Sequence, residues 1–167
     1  MPLDQIDCAI LGELLRRPRA GVRDYARTLG LARGTVQARL DRLTAQGIIG
    51  DYAPQLSHAA MGFPVLAFVN IQLQQGSLES VTRDLANLAQ VVEAHSMTGD
   101  ADVLCRVVAR DNRDLEAVIQ AILHIGGVVR TRSEIALSER VSRRDGALLE
   151  ELAGLAPTSS RAGVPTR

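Results

Sequence analysis

Residues 21–50, GVRDYARTLGLARGTVQARLDRLTAQGIIG, hold two short amphipathic helical patterns joined at Leu29-Gly30-Leu31. Val22, Tyr25, Ala26 and Leu29 recur at i, i+3, i+4 and i+7, which gathers them on one face of the first helix. Gly30 stands where that helix must stop and reverse, a position that asks for a left-handed backbone, and glycine takes it without steric cost. In the second helix Val36, Leu40, Leu43 and Gly47 share a face, while Gly34, Thr35, Gln37, Ala38, Asp41 and Arg42 look outward. Small and polar groups on that outer face suit a helix that enters the major groove of DNA. An ordinary helical hairpin with a solvated face has the same pattern, so the neighbouring segments must separate the two.

The preceding segment supplies a third helix. Across LDQIDCAILGELLRR, Leu3, Ile6, Ile10 and Leu14 form a stripe, with Asp4 placed to cap the free amides at its start. Three helices then close a small core. After Gly47 the β-branched run IIGDY reads as a strand leaving this domain. Periodicity breaks around Ser57 to Gly62, and from Phe63 onward the pattern changes from helical to alternating. It predicts a strand over 64–73, a helix over 77–88 with Leu78, Val81, Leu85 and Leu88 inward, and a strand over 91–98. The unit repeats as a strand over 102–108, a helix over 112–123 with Leu115, Val118, Ile119 and Ile122 inward, and a strand over 128–137 after Gly126-Gly127. This βαββαβ order is the ferredoxin-like split βαβ arrangement, an antiparallel sheet with two helices on one face. The first strand is apolar on both sides, through Val65, Ala67, Val69 and Ile71 and through Leu66 and Phe68, so its uncovered face is expected to pack on a second copy.

No apolar run approaches the ~20 residues of a membrane span, and the amino terminus carries acidic residues where a secretory signal would be basic. A cytoplasmic protein with no membrane partner is expected. Cys8 and Cys105 lie in different expected domains without metal spacing and read as buried reduced thiols. His58, His95 and His124 fall in a linker, a strand and a helix end, and Asp100 with Asp102 lacks the further oxygens of a cation site. With no phosphate-binding glycine loop and no nucleophile elbow, neither catalysis nor a cofactor is expected. All 19 basic residues are arginines, so any phosphate contact comes from guanidinium, hydroxyl or backbone groups. The zero net charge divides into +2 over residues 1–60, −3 over 61–150 and +1 over 151–167. So modest a local charge implies DNA affinity built from several copies acting together.

The ordered motifs LDQID, GLARGTV, RLDRL and QGIIGDY resemble the leucine-responsive regulator family of prokaryotes, also called Lrp/AsnC or feast/famine regulators, over roughly residues 3–140. The resemblance implies a transcription regulator of α+β class that binds double-stranded DNA. Its domains would be a helix-turn-helix (winged-helix-like) domain at 1–50, a linker strand and hinge at 51–62, and a ferredoxin-like ligand-sensing and oligomerisation domain at 63–140. A C-terminal extension at 141–167 follows. There, 145–155 is expected to form a short helix through Leu148, Leu149 and Leu152 that packs on a neighbouring subunit, and APTSSRAGVPTR to remain mobile. The family's homodimers commonly assemble further, giving an octamer.

Position on the second helix marks Arg33, Gly34, Thr35, Gln37, Ala38, Arg39 and Arg42 as DNA-contacting, with a salt bridge to the first helix competing at Arg39. Thr98-Gly99-Asp100-Ala101-Asp102 reads by itself as a tight hairpin turn. Gly99 followed three residues later by Asp102 also matches the loop in which the family holds an amino-acid effector between neighbouring dimers. In that reading backbone amides accept the effector carboxylate and an aspartate pairs with its ammonium group. Thr131 and Ser133, at i and i+2 on one strand face, are further candidate hydroxyls, with a sheet-paired role as the alternative. The chain departs from the family pattern at Val103, often an aromatic residue, and at Gly21 and Ala32, which replace helix-capping serines. Two other readings share this scaffold: a nucleoid-organising protein with little sequence preference, and an enzyme resembling sirohaem decarboxylases, which needs a basic, His-bearing porphyrin cleft.

Overall fold

The computed structural model describes residues 3–50, 54–142 and 144–155. In chain order the elements are α1 (Gln5–Arg16), α2 (Val22–Leu29), α3 (Arg33–Ala45), β1 (Val65–Leu73), α4 (Leu78–Leu85), β2 (Val91–Ser96), β3 (Val103–Ala109), α5 (Asn112–Leu123), β4 (Val128–Ile135) and α6 (Asp145–Leu155). They divide into a helical unit that joins the two ends of the chain and a second unit spanning Pro54–Arg140.

In the helical unit α1 starts at a reciprocal cap. The Asp7 amide donates to Asp4 Oδ1 at 2.8 Å and the Asp4 amide donates to Asp7 Oδ2 at 3.1 Å. Ile10, Leu11, Tyr25, Ala26, Val36, Leu40, Leu43 and Ile49 form the core, with Leu3, Ile6, Leu14, Val22 and Leu29 packed at its edge. Gly30 adopts φ 65°, the left-handed conformation expected of it, and the Leu31 amide closes the end of α2 on Ala26 O at 2.9 Å. The strand expected directly after Gly47 does not form at Ile48 and Ile49. Both amides bond to Leu43 O, at 3.0 and 3.3 Å, so the end of α3 uses the donors a ladder would need. Asp51 and Tyr52 lie outside the described residues, as does the segment APTSSRAGVPTR. Helix α6 corrects a second expectation: it packs on α1 of its own chain, with Leu149 at the edge of the core, while Leu148 and Leu152 stay exposed. Its periodicity specified an apolar face but not the surface that covers it.

The second unit is one antiparallel sheet in the order β2-β3-β1-β4. Ala67, Val69 and Ile71 of β1 and Val103, Cys105 and Val107 of β3 pack beneath Val81 and Leu85 of α4 and Leu115, Val118 and Ile122 of α5. Helix α4 is shorter than the 77–88 expected, and Leu78, its first residue, is exposed, so the inward stripe begins at Val81. Gly127, at φ +100°, lets the start of β4 pass close to α4: a Cβ there would stand 2.6 Å from Ser77 Cβ. Register sets the uncovered face. Directly opposed residues share a side, so Phe68, Asn70 and Gln72 line up there with Glu134, Arg132 and Arg130.

Candidate nucleic-acid interface and ligand cavity

Val36, Leu40 and Leu43 anchor α3 in the core, and Arg33, Gly34, Thr35, Gln37 and Ala38 are all exposed on its outer side. Ala32 occupies the N-cap position without a side-chain hydrogen bond. The Thr35 amide is closed by Ala32 O at 3.0 Å, while no side chain caps the amides of Arg33 and Gly34. The Gln37 amide group donates to Asp41 Oδ1 at 2.7 Å along the helix surface.

Two of the arginines expected on the DNA side turn elsewhere. Arg39 Nη1 bonds both carboxylate oxygens of Asp4 at 2.7 Å and Asp7 Oδ1 at 2.7 Å, so a salt bridge does compete for Arg39, but its partner is the start of α1 and not α2, the first helix of the pair, as expected. Arg42, read as outward-facing, instead donates from Nη2 to Asp7 Oδ1 at 2.5 Å. The two lie three positions apart on one flank of α3, next to the capped start of α1, where Asp7 is buried to 2% exposure. Burial pushes the Asp4 carboxyl up, but the hydrogen bonds from Arg39 and the Asp7 amide outweigh it and hold the group below the usual carboxylate range. The bond to Asp4 in turn raises Arg39 against its own desolvation. A second link fixes α2: Glu13, also buried, pairs with Arg17 and with Arg16 at 2.8 Å, and Arg17 Nη2 donates to Thr28 Oγ1 at 2.7 Å. The Tyr25 hydroxyl adds a bond to Arg17 O at 2.8 Å. α3 is therefore presented by a frame held together by charge as well as by apolar packing.

In the sheet unit a cavity of about 330 Å³ gathers Thr98, Asp100 and Thr131 from the expected effector residues. Gly99, Asp102 and Ser133 do not line it. The Asp102 carboxylate accepts the Leu73 amide through Oδ2 at 2.7 Å, its own amide donates to Ile71 O at 2.9 Å, and its carbonyl accepts the Met97 amide at 2.9 Å. These bonds close the ends of three strands. Gly99 provides the turn, at φ +110°. Thr131 and Ser133 do share a face, but they stand opposite Ile71 and Val69 on the helix-covered side of the sheet. Val103, at the family's aromatic position, is a core residue. The polar residues that line the cavity from the sheet are Asn70 and Gln72 of β1 and Arg130 and Arg132 of β4, none of which the turn motif identified. Their signal was present as two polar side chains at i and i+2 in the apolar run VLAFVNIQL. Gln72 Nε2 donates to Asp100 O at 2.6 Å and ties the turn down over β1. Met97 and Ala101 supply the apolar part of the lining.

Both cysteines are buried and unpaired, and burial raises the Cys105 thiol to about 11. Among the described residues no group of three or more His, Cys, Asp or Glu side chains is placed to hold a metal, and no helix is long and apolar enough to cross a membrane.

Residues 3–44 match the AsnC-type helix-turn-helix domain, and residues 66–145 match the Lrp/AsnC ligand binding domain. The HTH-type transcriptional regulator Ptr1 of Methanocaldococcus jannaschii is 33% identical over 113 residues, covering 68% of this chain and 76% of that protein. The structure of Escherichia coli AsnC superposes with a TM-score of 0.79 at 26% identity, covering 86% of this chain and 97% of the other. A transcriptional regulator from Neisseria meningitidis, solved in complex with L-methionine, gives a TM-score of 0.77 at 23% identity over 84% of this chain and 93% of its own.

Proposed function

Because the chain belongs to the Lrp/AsnC family of transcriptional regulators, we propose that it binds double-stranded DNA through the outer face of α3 and responds to an amino acid held in the cavity of its sheet unit. The observation that carries the DNA half is the exposure of Arg33, Gly34, Thr35, Gln37 and Ala38 on the side of α3 opposite its buried stripe. Uncapped amides at the start of that helix suit phosphate oxygens, and Arg33 and Thr35 sit where base edges and phosphates come within reach. Arg39 and Arg42 act here chiefly by holding α3 on α1. The effector half rests on the cavity. Asp100 suits an ammonium group, Thr98 offers a hydroxyl, and Thr131, whose side chain is on the helix-covered face, offers only its backbone. Half-buried Leu66 and exposed Phe68 on the uncovered sheet face support a homodimer formed sheet to sheet, assembling further toward an octamer.

The test begins with selection of duplexes from a random-sequence library by the intact protein, followed by footprinting and a salt titration. Discrete protected sites are expected; uniform coverage would favour the nucleoid-organising reading. An Arg33→Ala, Thr35→Ala variant should bind at least tenfold more weakly on the selected duplex, with its salt slope reduced by about 1 for the lost guanidinium contact. Unchanged affinity and slope in the folded variant would remove α3 from the interface.

A further inference from the structure

The charges around the cavity are not balanced. Its lining holds one carboxylate, Asp100, against two guanidinium groups, Arg130 and Arg132. A neutral α-amino acid brings one ammonium and one carboxylate, which would answer Asp100 and a single arginine. The second arginine calls for a second anionic group on the ligand. From this complementarity we infer that the cavity takes an amino acid with an acidic side chain, an inference that rests on the amino-acid reading of the site proposed above.

The arrangement of the two arginines favours such a ligand. They are at i and i+2 on β4 and therefore project to the same side, roughly 7 Å apart along the strand. Register sets them opposite Gln72 and Asn70, on the sheet face that helices do not cover. Arg132 has an ion-pair partner, Glu134 at 2.8 Å, but both members are mostly exposed, and such pairs contribute little and yield to a better-placed carboxylate. Arg130 has no ion-pair partner among the described residues. Gln72, beside Arg130 in the sheet, donates through Nε2 to the carbonyl of Asp100 at 2.6 Å and so ties the acidic turn to the strand that pairs with the arginines. The lining thus brings Asp100 from the turn after β2 and the arginine pair from β4, one group for an ammonium and two for carboxylates. The lining offers little to an aliphatic side chain. Only Met97 and Ala101 are apolar, so a leucine or methionine side chain would meet amides, hydroxyls and an uncompensated guanidinium. A basic side chain would meet two like charges.

Calorimetry on the full chain with L-glutamate, L-aspartate, L-leucine, L-methionine, L-lysine and glutarate separates the possibilities. The acidic amino acids should bind at least tenfold more tightly than the neutral ones, and glutarate, which lacks the ammonium group, should bind more weakly than L-glutamate. Arg130→Gln, at an exposed strand position, should lose at least tenfold for L-glutamate while retaining the parent circular dichroism. Arg130→Glu should move the preference toward L-lysine. A neutral or basic amino acid that binds the parent most tightly, and loses affinity in Asp100→Asn, would overturn the acidic class and leave the amino-acid reading standing. If none of the amino acids binds the parent, both readings fall. Equal L-glutamate affinity in the parent and in Arg130→Gln would also overturn the inference.

Discussion

The helical unit buries two carboxylates, Asp7 and Glu13, beside an apolar core of eight residues, whereas the sheet unit closes twelve buried apolar residues with no buried charge among those described. The difference follows from what each must hold. Four strands in register fix one another through their ladders, and the side chains beneath the helices need only fill space. Three short helices have no ladder between them, and their small core leaves each helix room to rotate or slide. Asp7, reached by Arg39 and Arg42 together, gives α1 and α3 a directional contact that apolar packing lacks. If α3 reads DNA as proposed, it must be presented at a set angle, and the charge cluster stands where that orientation is set.

Four measurements would break or sharpen this comparison. The largest effect is expected from Ile71→Ala, which opens a cavity in the sheet core and should cost about 3 to 4 kcal/mol. Hydrogen exchange should quicken throughout β1, β3 and β4 while the amides of α1 to α3 keep their protection. Comparable acceleration in the helices would mean that the two units do not respond independently.

Asp7→Ala is the converse experiment. It leaves two arginines facing one another without their shared anion, and because both retain some solvent the expected cost is about 2 to 3 kcal/mol. Exchange should quicken in α1 and α3 alone, and DNA affinity should fall although no contacting residue has changed. Preserved stability would show that apolar packing is sufficient to orient α3.

Ala32→Ser restores a hydroxyl at the uncapped start of α3 and should stabilise the helical unit by about 1 kcal/mol, read as slower exchange at the Gly34 amide. Strong protection of that amide in the parent chain would mean that another group already satisfies it.

The smallest effect concerns acid. Asp4 is held below its ordinary value of 3.8 in the folded chain, so its contribution is fully present at neutral pH, begins to decline below about 3.8 and is gone once pH falls through the lowered folded-state value. Asp4→Asn should flatten that part of the acid profile of the helical unit and leave the sheet unit's profile as it was. The same acid slope in the variant would transfer the effect to other carboxylates.

The helical periods of α1, α2 and α3, the reversal at Gly30, the βαββαβ order and the inward stripes of α4 and α5 from Val81 onward were all legible in the sequence. Each is decided by backbone geometry and side-chain spacing within a few residues, where 3.6 and 2 are the only periods available. The outer residues of α3 were legible for the same reason. Sequence spacing failed where a side chain had a choice of distant partners. Arg42 has the phase of a surface residue, yet a carboxylate 35 residues earlier in the chain draws it inward. Asp102 carries the spacing of a ligand-holding aspartate, but the strand ends that meet around it offer an unpaired Leu73 amide, and its carboxylate is used there. Helix α6 had an apolar face whose covering surface, α1, lies at the far end of the chain. Most of the cavity belongs to this second class, since Arg130 and Arg132 reach Gln72 and Asn70 only through the β1–β4 register. Local geometry thus determined which elements form, and the closing of distant faces decided which charges meet, because pairing energy depends on separation in space and sequence pattern carries no measure of that separation.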